Sequence, residues 1–169
     1  ERNYYAAMMV REGDADAMIS GYSRSYPNVL KPILQVIDTQ EGVNRVATTN
    51  LMITNRGPLF ISDTSININP NAKELAKIAQ MTSHTAALFG IQPKVAMLSY
   101  SNFGSSKNED AQKVSKAVKL IHRFLPDIAV DGPIQADFAL NKTMLTNKFP
   151  FSKIAGAAVN TLVLSLIHI

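Results

Sequence analysis

The stretch Lys94–Pro126, "KVAMLSYSNFGSSKNEDAQKVSKAVKLIHRFLP", decides the fold. It opens on an apolar run, Lys94–Tyr100, of strand length. It crosses small polar residues and Gly104, then takes up helical spacing from about Lys107 to Leu125. Val114, Ala117, Val118, Ile121 and Leu125 recur on one face, and Pro126 lies just past the end. A strand that feeds a helix through a short polar loop is the building unit of α/β folds, and ligands meet such folds at the carboxyl ends of their strands.

Upstream, Asn69 and Pro70 read as N-cap and first residue of a helix reaching Phe89, with Leu75, Ile78, Ala79, Thr82, Ala86 and Phe89 on its apolar face and Gly90 closing it. Arg45–Thr54 and Leu59–Asp63 are strand-like, and the three residues "NRG" (Asn55–Gly57) predict an antiparallel hairpin. Asn3–Arg11 reads as a helix closed by Gly13, and Ala17–Ser20 as a short buried strand ended by Gly21. Pro27–Ile37 has helical spacing, and Pro32 inside it predicts a kink or a start nearer Lys31. Downstream, Ile128–Asp131 and Val159–Val163 are strand-like. The alternation predicts a layered α-β-α architecture with a mainly parallel sheet.

Composition sets the class. Hydrophobic residues make up 46% and charged residues 18%, a globular balance in a chain of single-domain size. The net charge of +4 comes from 17 basic and 13 acidic residues that are spread along the chain, without the clustering a nucleic-acid surface needs. No apolar run reaches membrane-spanning length and no signal pattern is visible, so no membrane is expected as partner; the lack of Cys favours a cytoplasmic protein. Cys is absent, which removes disulfides, thiolate metal sites and a cysteine nucleophile. The chain starts at Glu1 and ends on "LSLIHI", Leu164–Ile169, which reads as translated sequencing-adapter sequence. Truncation at both ends is therefore expected, with 164–169 a non-native tail that takes His168 out of consideration. An ordinary apolar strand is the competing reading of that tail.

Three loops carry candidate chemistry. Leu98–Lys107 offers the hydroxyls of Ser99, Ser101, Ser105 and Ser106, backbone access at Gly104, and the positive end of the following helix. It is no Walker loop, because the second glycine and the Lys-Ser/Thr pair are missing. A Ser106-x-x-Glu109 capping box competes for the same N–H groups, and Glu109 and Asp110 oppose an anion on the axis. "DGPIQAD", Asp131–Asp137, reads first as a turn at Asp131-Gly132-Pro133. Gln135 and Asp137 then alternate with Ile134 and Phe138 to form a polar edge, and the two carboxylates admit acid/base work; a turn plus a helix cap explains the same residues. In "SGYSRSYPNVLKP", Ser20–Pro32, Arg24 and Lys31 suit phosphate or are exposed surface cations. His84 and His122 lie within helices and lack a second ligand at metal spacing, so they read as structural or exposed. The coincidence of three such loops points to one anionic ligand.

The segments "MMVREGDADAMISGYSRSYPNVLKPILQVI" (Met8–Ile37), "AMLSYSNFGSSK" (Ala96–Lys107) and "VDGPIQADFAL" (Val130–Leu140) together resemble the phosphate acetyl/butyryltransferase family, over about Tyr4–Val163. More narrowly, "GYSRSYPNVLKP" and "SNFGSSK" resemble the phosphotransacetylase-like C-terminal domain of bacterial NADP-dependent malic enzymes. The resemblance implies a fold like isocitrate and isopropylmalate dehydrogenases, with two α/β subdomains flanking a cleft. Residues 1–43 would end the first subdomain and 44–163 form most of the second. In this family coenzyme A and an acyl phosphate meet in the cleft, where a base prepares the thiol, the thiolate attacks the acyl carbon and cations hold the phosphate. The serine, arginine and aspartate of that step fall beyond Val163, so no residue of this chain takes a catalytic role. The implied cleft lining is Ser101, Gly104, Ser105, Asp131, Gln135 and Asp137, joined by Arg24 and Lys31 as phosphate partners.

Two departures bear on function. Lys31-Pro32 stands where transferases carry Arg-Pro, and lysine lacks the planar fork that grips phosphate. Asn102-Phe103 replaces smaller, more polar residues before the loop glycine. Both suit a domain that senses acetyl-CoA. The expectation is accordingly a fragment of the acetyl-CoA-binding regulatory domain of a malic enzyme, whose NADP and Mg or Mn ion belong to a domain absent here. The alternatives are a piece of a stand-alone phosphate acetyltransferase, or a binding module with no small ligand. The complete parent is expected to be a homo-oligomer.

Overall fold

A computed structural model of the chain describes every residue except Tyr22, Ser23, Gln40, Gly42, Asn44 and 166–169. His168 and most of the expected adapter tail thus lie outside the described residues. Two compact units are formed, Glu1–Val46 and Ala47–Ile169.

The second unit is built on five strands: β1 (Thr49–Thr54), β2 (Gly57–Ser62), β3 (Lys94–Leu98), β4 (Ala129–Ile134) and β5 (Thr161–Val163). They pair in the order β1-β2-β5-β3-β4. The β1–β2 pair is antiparallel and the other three pairs are parallel, so the sheet is mixed. The hairpin forms as expected but with a tighter turn: Thr54 pairs with Gly57, leaving Asn55 and Arg56 as the loop. Gly57 has φ +107, which belongs to the left-handed side of the map and favours glycine there.

Side-chain alternation sends the core to both faces of the sheet. Val95, Met97, Val130 and Val163 meet Leu75, Ile78, Val114, Val118 and Ile121, from α3 (Ala72–Leu88) and α4 (Glu109–Phe124). Ala96, Leu98, Ile134 and Leu162 point the other way. They meet Ala139 and Leu145, from α5 (Ala136–Leu140) and α6 (Lys142–Lys148), together with Ile154. The sheet is therefore covered by helices on both faces.

The helix boundaries correct the sequence reading at their caps. The N-cap of α3 is Asn71 rather than Asn69: its side chain accepts from the backbone N–H groups of Lys73 and Glu74, and Glu74 reaches back to the Asn71 N–H. That reciprocal arrangement satisfies donors that the first turn leaves without partners. Gly90, at φ +71, closes α3 as expected. The N-cap of α4 is Asn108, whose side chain accepts from Asp110 N–H at 2.9 Å, so the expected Ser106–Glu109 box is replaced. The helix-cap reading of Asp131–Asp137 is met by Gln135, the N-cap of α5, while α6 has no counterpart in the sequence reading; at 5 and 7 residues both helices are too short for helical periodicity to register.

Asp131-Gly132-Pro133 is another correction, because these residues lie inside β4 rather than in a turn. Ala96 pairs with Asp131 and Leu98 with Ile134, so β4 carries one extra residue against β3. That bulge keeps Asp131 and Ile134 on the same face. Gly132 explains how it is tolerated: its φ is +146, and an added Cβ would lie 2.5 Å from the Met97 carbonyl oxygen. Pro133 is accommodated because β4 is an edge strand.

The first unit holds α1 (Arg2–Glu12), closed by Gly13, and α2 (Tyr26–Val36). Arg11 donates to the Val36 carbonyl at 2.8 Å, and Ser20 Oγ donates to Asn3 Oδ1 at 2.9 Å. The predicted strand Ala17–Ser20 does not form; among the described residues of this unit there is no second strand to pair with it. Helix α2 starts at Tyr26 and continues through the buried Pro32, so the expected start nearer Lys31 is not seen.

Candidate functional site

The parallel strands β2, β5, β3 and β4 all deliver their carboxyl ends to one edge of the second unit. The loop after β3 folds back over the end of β4. Ser99 N–H donates to the Ile134 carbonyl at 3.0 Å and Phe103 N–H to the Pro133 carbonyl at 2.7 Å. Phe103 and Gly104 then take positive φ in succession, +42 and +87. Glycine does this without cost, but phenylalanine needs compensation. The Phe103 ring supplies it by packing on Phe149 and Phe151, at centroid distances of 4.8 and 5.1 Å. An added Cβ on Gly104 would meet nothing within 4 Å, so its backbone angle accounts for the glycine.

The hydroxyls of this loop divide into used and unused. Ser105 Oγ accepts from Asn102 N–H at 3.1 Å, and Ser106 Oγ pairs with the Tyr100 hydroxyl at 2.9 Å. Ser101 is buried and its hydroxyl has no partner among the described residues. A buried polar atom left alone costs stability unless a ligand or water completes it. Asn102 and Gln135 are joined twice: Asn102 Nδ2 donates to Gln135 Oε1 at 2.6 Å, and Gln135 N–H donates to Asn102 Oδ1 at 2.8 Å. The predicted residues Ser101, Gly104, Ser105 and Gln135 are thus assembled at one place.

The other predicted residues have surroundings of their own. Asp131 is buried, and its carboxylate accepts from Gly132 N–H (2.9 Å), Ser152 Oγ (2.8 Å) and Lys153 N–H (2.8 Å). It latches the 152–153 turn onto β4. Asp137 is exposed in the first turn of α5. Arg24 and Lys31 belong to the first unit, where both are exposed, Arg24 ahead of α2 and Lys31 within it. His84 is exposed, and His122 shares a 2.8 Å hydrogen bond with the Val130 carbonyl.

Sequence reasoning missed Asp63, which follows the last residue of β2. It is 1% exposed, and its carboxylate gathers donors from Thr48 (N–H and Oγ1), Ser65 N–H, Ile66 N–H and Asn67 (N–H and Nδ2). Burial alone pushes its pKa up, but the bonds from Thr48, Asn67 and Ser65 outweigh burial and hold it below the ordinary value of 3.8. The available signal was an aspartate at a strand end followed by Thr64-Ser65, a pattern that hydrogen-bonds its own backbone.

A cavity of about 790 Å³ opens at the opposite, amino ends of β2 and β5, against Arg56, Pro58, Leu59, Ile91, Leu140 and Val159; no predicted site residue lines it. Among the described residues no group of three or more His, Cys, Asp or Glu could hold a metal ion, and no helix is long and apolar enough to cross a membrane.

Comparison with known proteins fits this geometry. The family pattern described as Phosphate acetyl/butaryl transferase matches residues 1–166. A phosphate acetyltransferase of Nitratidesulfovibrio vulgaris is 39% identical over 155 residues, covering 92% of this chain and 22% of that protein. An NADP-dependent malic enzyme of Rhizobium meliloti is 36% identical over 168 residues, covering 99% of this chain and 22% of that protein. The crystal structure of a phosphotransacetylase from Streptococcus pyogenes superposes with a TM-score of 0.87 at 38% identity, covering 98% of this chain and 50% of that one. The chain spans between about a fifth and a half of the length of the relatives it matches.

Proposed function

Because the chain belongs to the phosphate acetyl/butyryl transferase family, we propose that it forms part of an enzyme moving an acyl group between acyl phosphate and coenzyme A. In that reaction the coenzyme A sulfur bonds to the acyl carbon, the acyl carbon–oxygen bond to phosphate breaks, and the thiol proton passes to a base. This reverses the order of the two sequence-based expectations. Several of the similar proteins are phosphate acetyltransferases, and the malic enzyme is a relative beside them.

One observation within the chain carries the reading. The buried, unpartnered Ser101 hydroxyl lies in a loop rigidly held at the carboxyl edge of the sheet, next to the Asn102–Gln135 pair. Such an edge is where open α/β sheets receive ligands. Rigid donors placed before the ligand arrives avoid the ordering cost of binding. Arg24 and Lys31 are proposed as phosphate partners, and the two-subdomain, dehydrogenase-like layering and a homo-oligomeric, cytoplasmic parent are proposed with them. The test is release of coenzyme A thiol from acetyl-CoA and phosphate by the complete protein. Substituting Ser101, Arg24 or Lys31 by Ala should raise the KM for phosphate.

A second reading is favoured by Asn102-Phe103 and Lys31-Pro32, the two departures from the transferase pattern. In it the chain belongs to an acetyl-CoA-responsive domain of a malic enzyme. Acetyl-CoA would shift that parent between two states of unequal affinity. NADP and the divalent ion would belong to a separate malate-oxidising domain. Two results favour this reading over the first: acetyl-CoA-dependent malate oxidation, and no acetyl transfer. A chain that binds neither acetyl-CoA nor phosphate is instead the ligand-free module.

A further inference from the structure

The Asn102–Gln135 pair fixes more than a loop. A backbone N–H can only donate, so the Asn102 side-chain atom 2.8 Å from the Gln135 N–H is its carbonyl oxygen. The other end of the Asn102 carboxamide is therefore its NH2. That NH2 lies 2.6 Å from the Gln135 side chain and must meet the oxygen there. One main-chain donor thus sets the orientation of two side-chain amides in turn. What remains is the Gln135 NH2, which makes no hydrogen bond to any described residue, on a half-buried side chain at the end of β4.

We infer that Asn102 is a positioning residue that turns the Gln135 amide so that it presents two donors and no acceptor. The site then selects a ligand oxygen that accepts, such as a phosphoryl oxygen or the acyl carbonyl, and disfavours a hydroxyl or amine donor. This rests on the acyl-transfer reading for the ligand class, but the amide orientation does not depend on it. The residue comes from the Asn102-Phe103 departure. The same Asn102 whose carbonyl receives the Ser105 N–H also sets the amide. The departure is therefore a way of fixing the site's polarity.

The experiment is a double-mutant cycle in the complete protein, read by isothermal titration with inorganic phosphate and with acetyl phosphate. Asn102→Asp keeps the acceptor for the Gln135 N–H but replaces the NH2 by a second acceptor. The Gln135 amide then turns over and shows its oxygen to the ligand. We expect Asn102→Asp to weaken binding by about tenfold or more, the scale of one hydrogen bond to a charged group. In a Gln135→Ala background the same change should weaken binding by less than about twofold, since the group it reorients is gone. Equal losses in both backgrounds overturn the inference, because added negative charge then explains everything.

A second measurement needs neither variant nor ligand. By NMR, the Asn102 side-chain NH2 protons should exchange slowly with water and those of Gln135 rapidly. The reverse order, or equal rates, overturns the orientation. Wild-type protein that binds no phosphate or acetyl phosphate while showing this exchange pattern sinks the acyl-transfer reading and leaves the amide orientation standing.

Discussion

Replacing Gly132 by Ala should loosen the site far more than replacing Gly104 by Ala. Both glycines have positive φ, +146 and +87, so both substitutions carry backbone strain of about 1–2 kcal/mol. Only Gly132 adds a collision: its new Cβ would stand 2.5 Å from the Met97 carbonyl oxygen and 2.9 Å from the Met97 Cβ, whereas at Gly104 nothing lies within 4 Å. Met97 pairs with Val163 of β5, and its neighbours Ala96 and Leu98 pair with β4, so its backbone has little room to step aside. Overpacking of this kind costs about 1–3 kcal/mol. Gly132→Ala should therefore cost about 2–5 kcal/mol and Gly104→Ala about 1–2 kcal/mol. The assay is hydrogen exchange at the Ser99 and Phe103 amides, which donate to Ile134 and Pro133 across the bulge. Their opening should be roughly five- to 150-fold more frequent in Gly132→Ala than in Gly104→Ala, the ratio that the packing difference implies. Equal protection in the two variants would refute the idea that close strand approach, rather than backbone angle alone, demands glycine at 132.

Asp63→Ala strands several donors around the end of β2 and should cost about 3 kcal/mol or more by thermal or denaturant unfolding. The Asp63 pKa is depressed in the folded state, so its contribution is complete above the ordinary 3.8 and is lost as pH falls through the folded value. The stability gap between wild type and Asp63→Asn should accordingly narrow only in strong acid; a gap that widens there contradicts the assignment. Phe103→Ala removes the ring that offsets its own positive φ. Proteolytic nicking between 102 and 107 should accelerate by about tenfold, the equivalent of roughly 1.4 kcal/mol of lost aromatic packing. Ser152→Ala frees one oxygen contact of Asp131 and should cost about 1–2 kcal/mol, with faster amide exchange at Lys153.

Much of the second unit was legible because its elements are long and regular. The α3 and α4 faces follow helical spacing over 17 and 16 residues, and β3 is a continuous apolar run. What escaped was decided by contacts between distant residues. Asp131-Gly132-Pro133 carries every local mark of a turn, yet pairing with β3 draws it into a strand as a bulge. Asn71 won the cap of α3 over Asn69 because Glu74 stands three residues after it. Ala17–Ser20 is apolar enough for a strand, but a strand exists only through its neighbour. At the site, the residue types of the 98–107 loop drew attention to the right place. Which hydroxyl is free and which is consumed depends on Ser105 folding back to Asn102 and on Tyr100 reaching Ser106, and no spacing in the sequence specifies either. Asp63 was hidden for the same reason: its donors come from both sides of the chain, Thr48 before it and Ser65 to Asn67 after it.

The most direct test follows thiol release from acetyl-CoA in the presence of phosphate, using the complete protein and its Ser101→Ala and Gln135→Ala variants. Steady turnover by wild type, with a raised KM for phosphate in both variants, is the predicted result. Turnover that both substitutions leave untouched, with the variants folded as wild type, would remove the carboxyl edge of the sheet from the reaction.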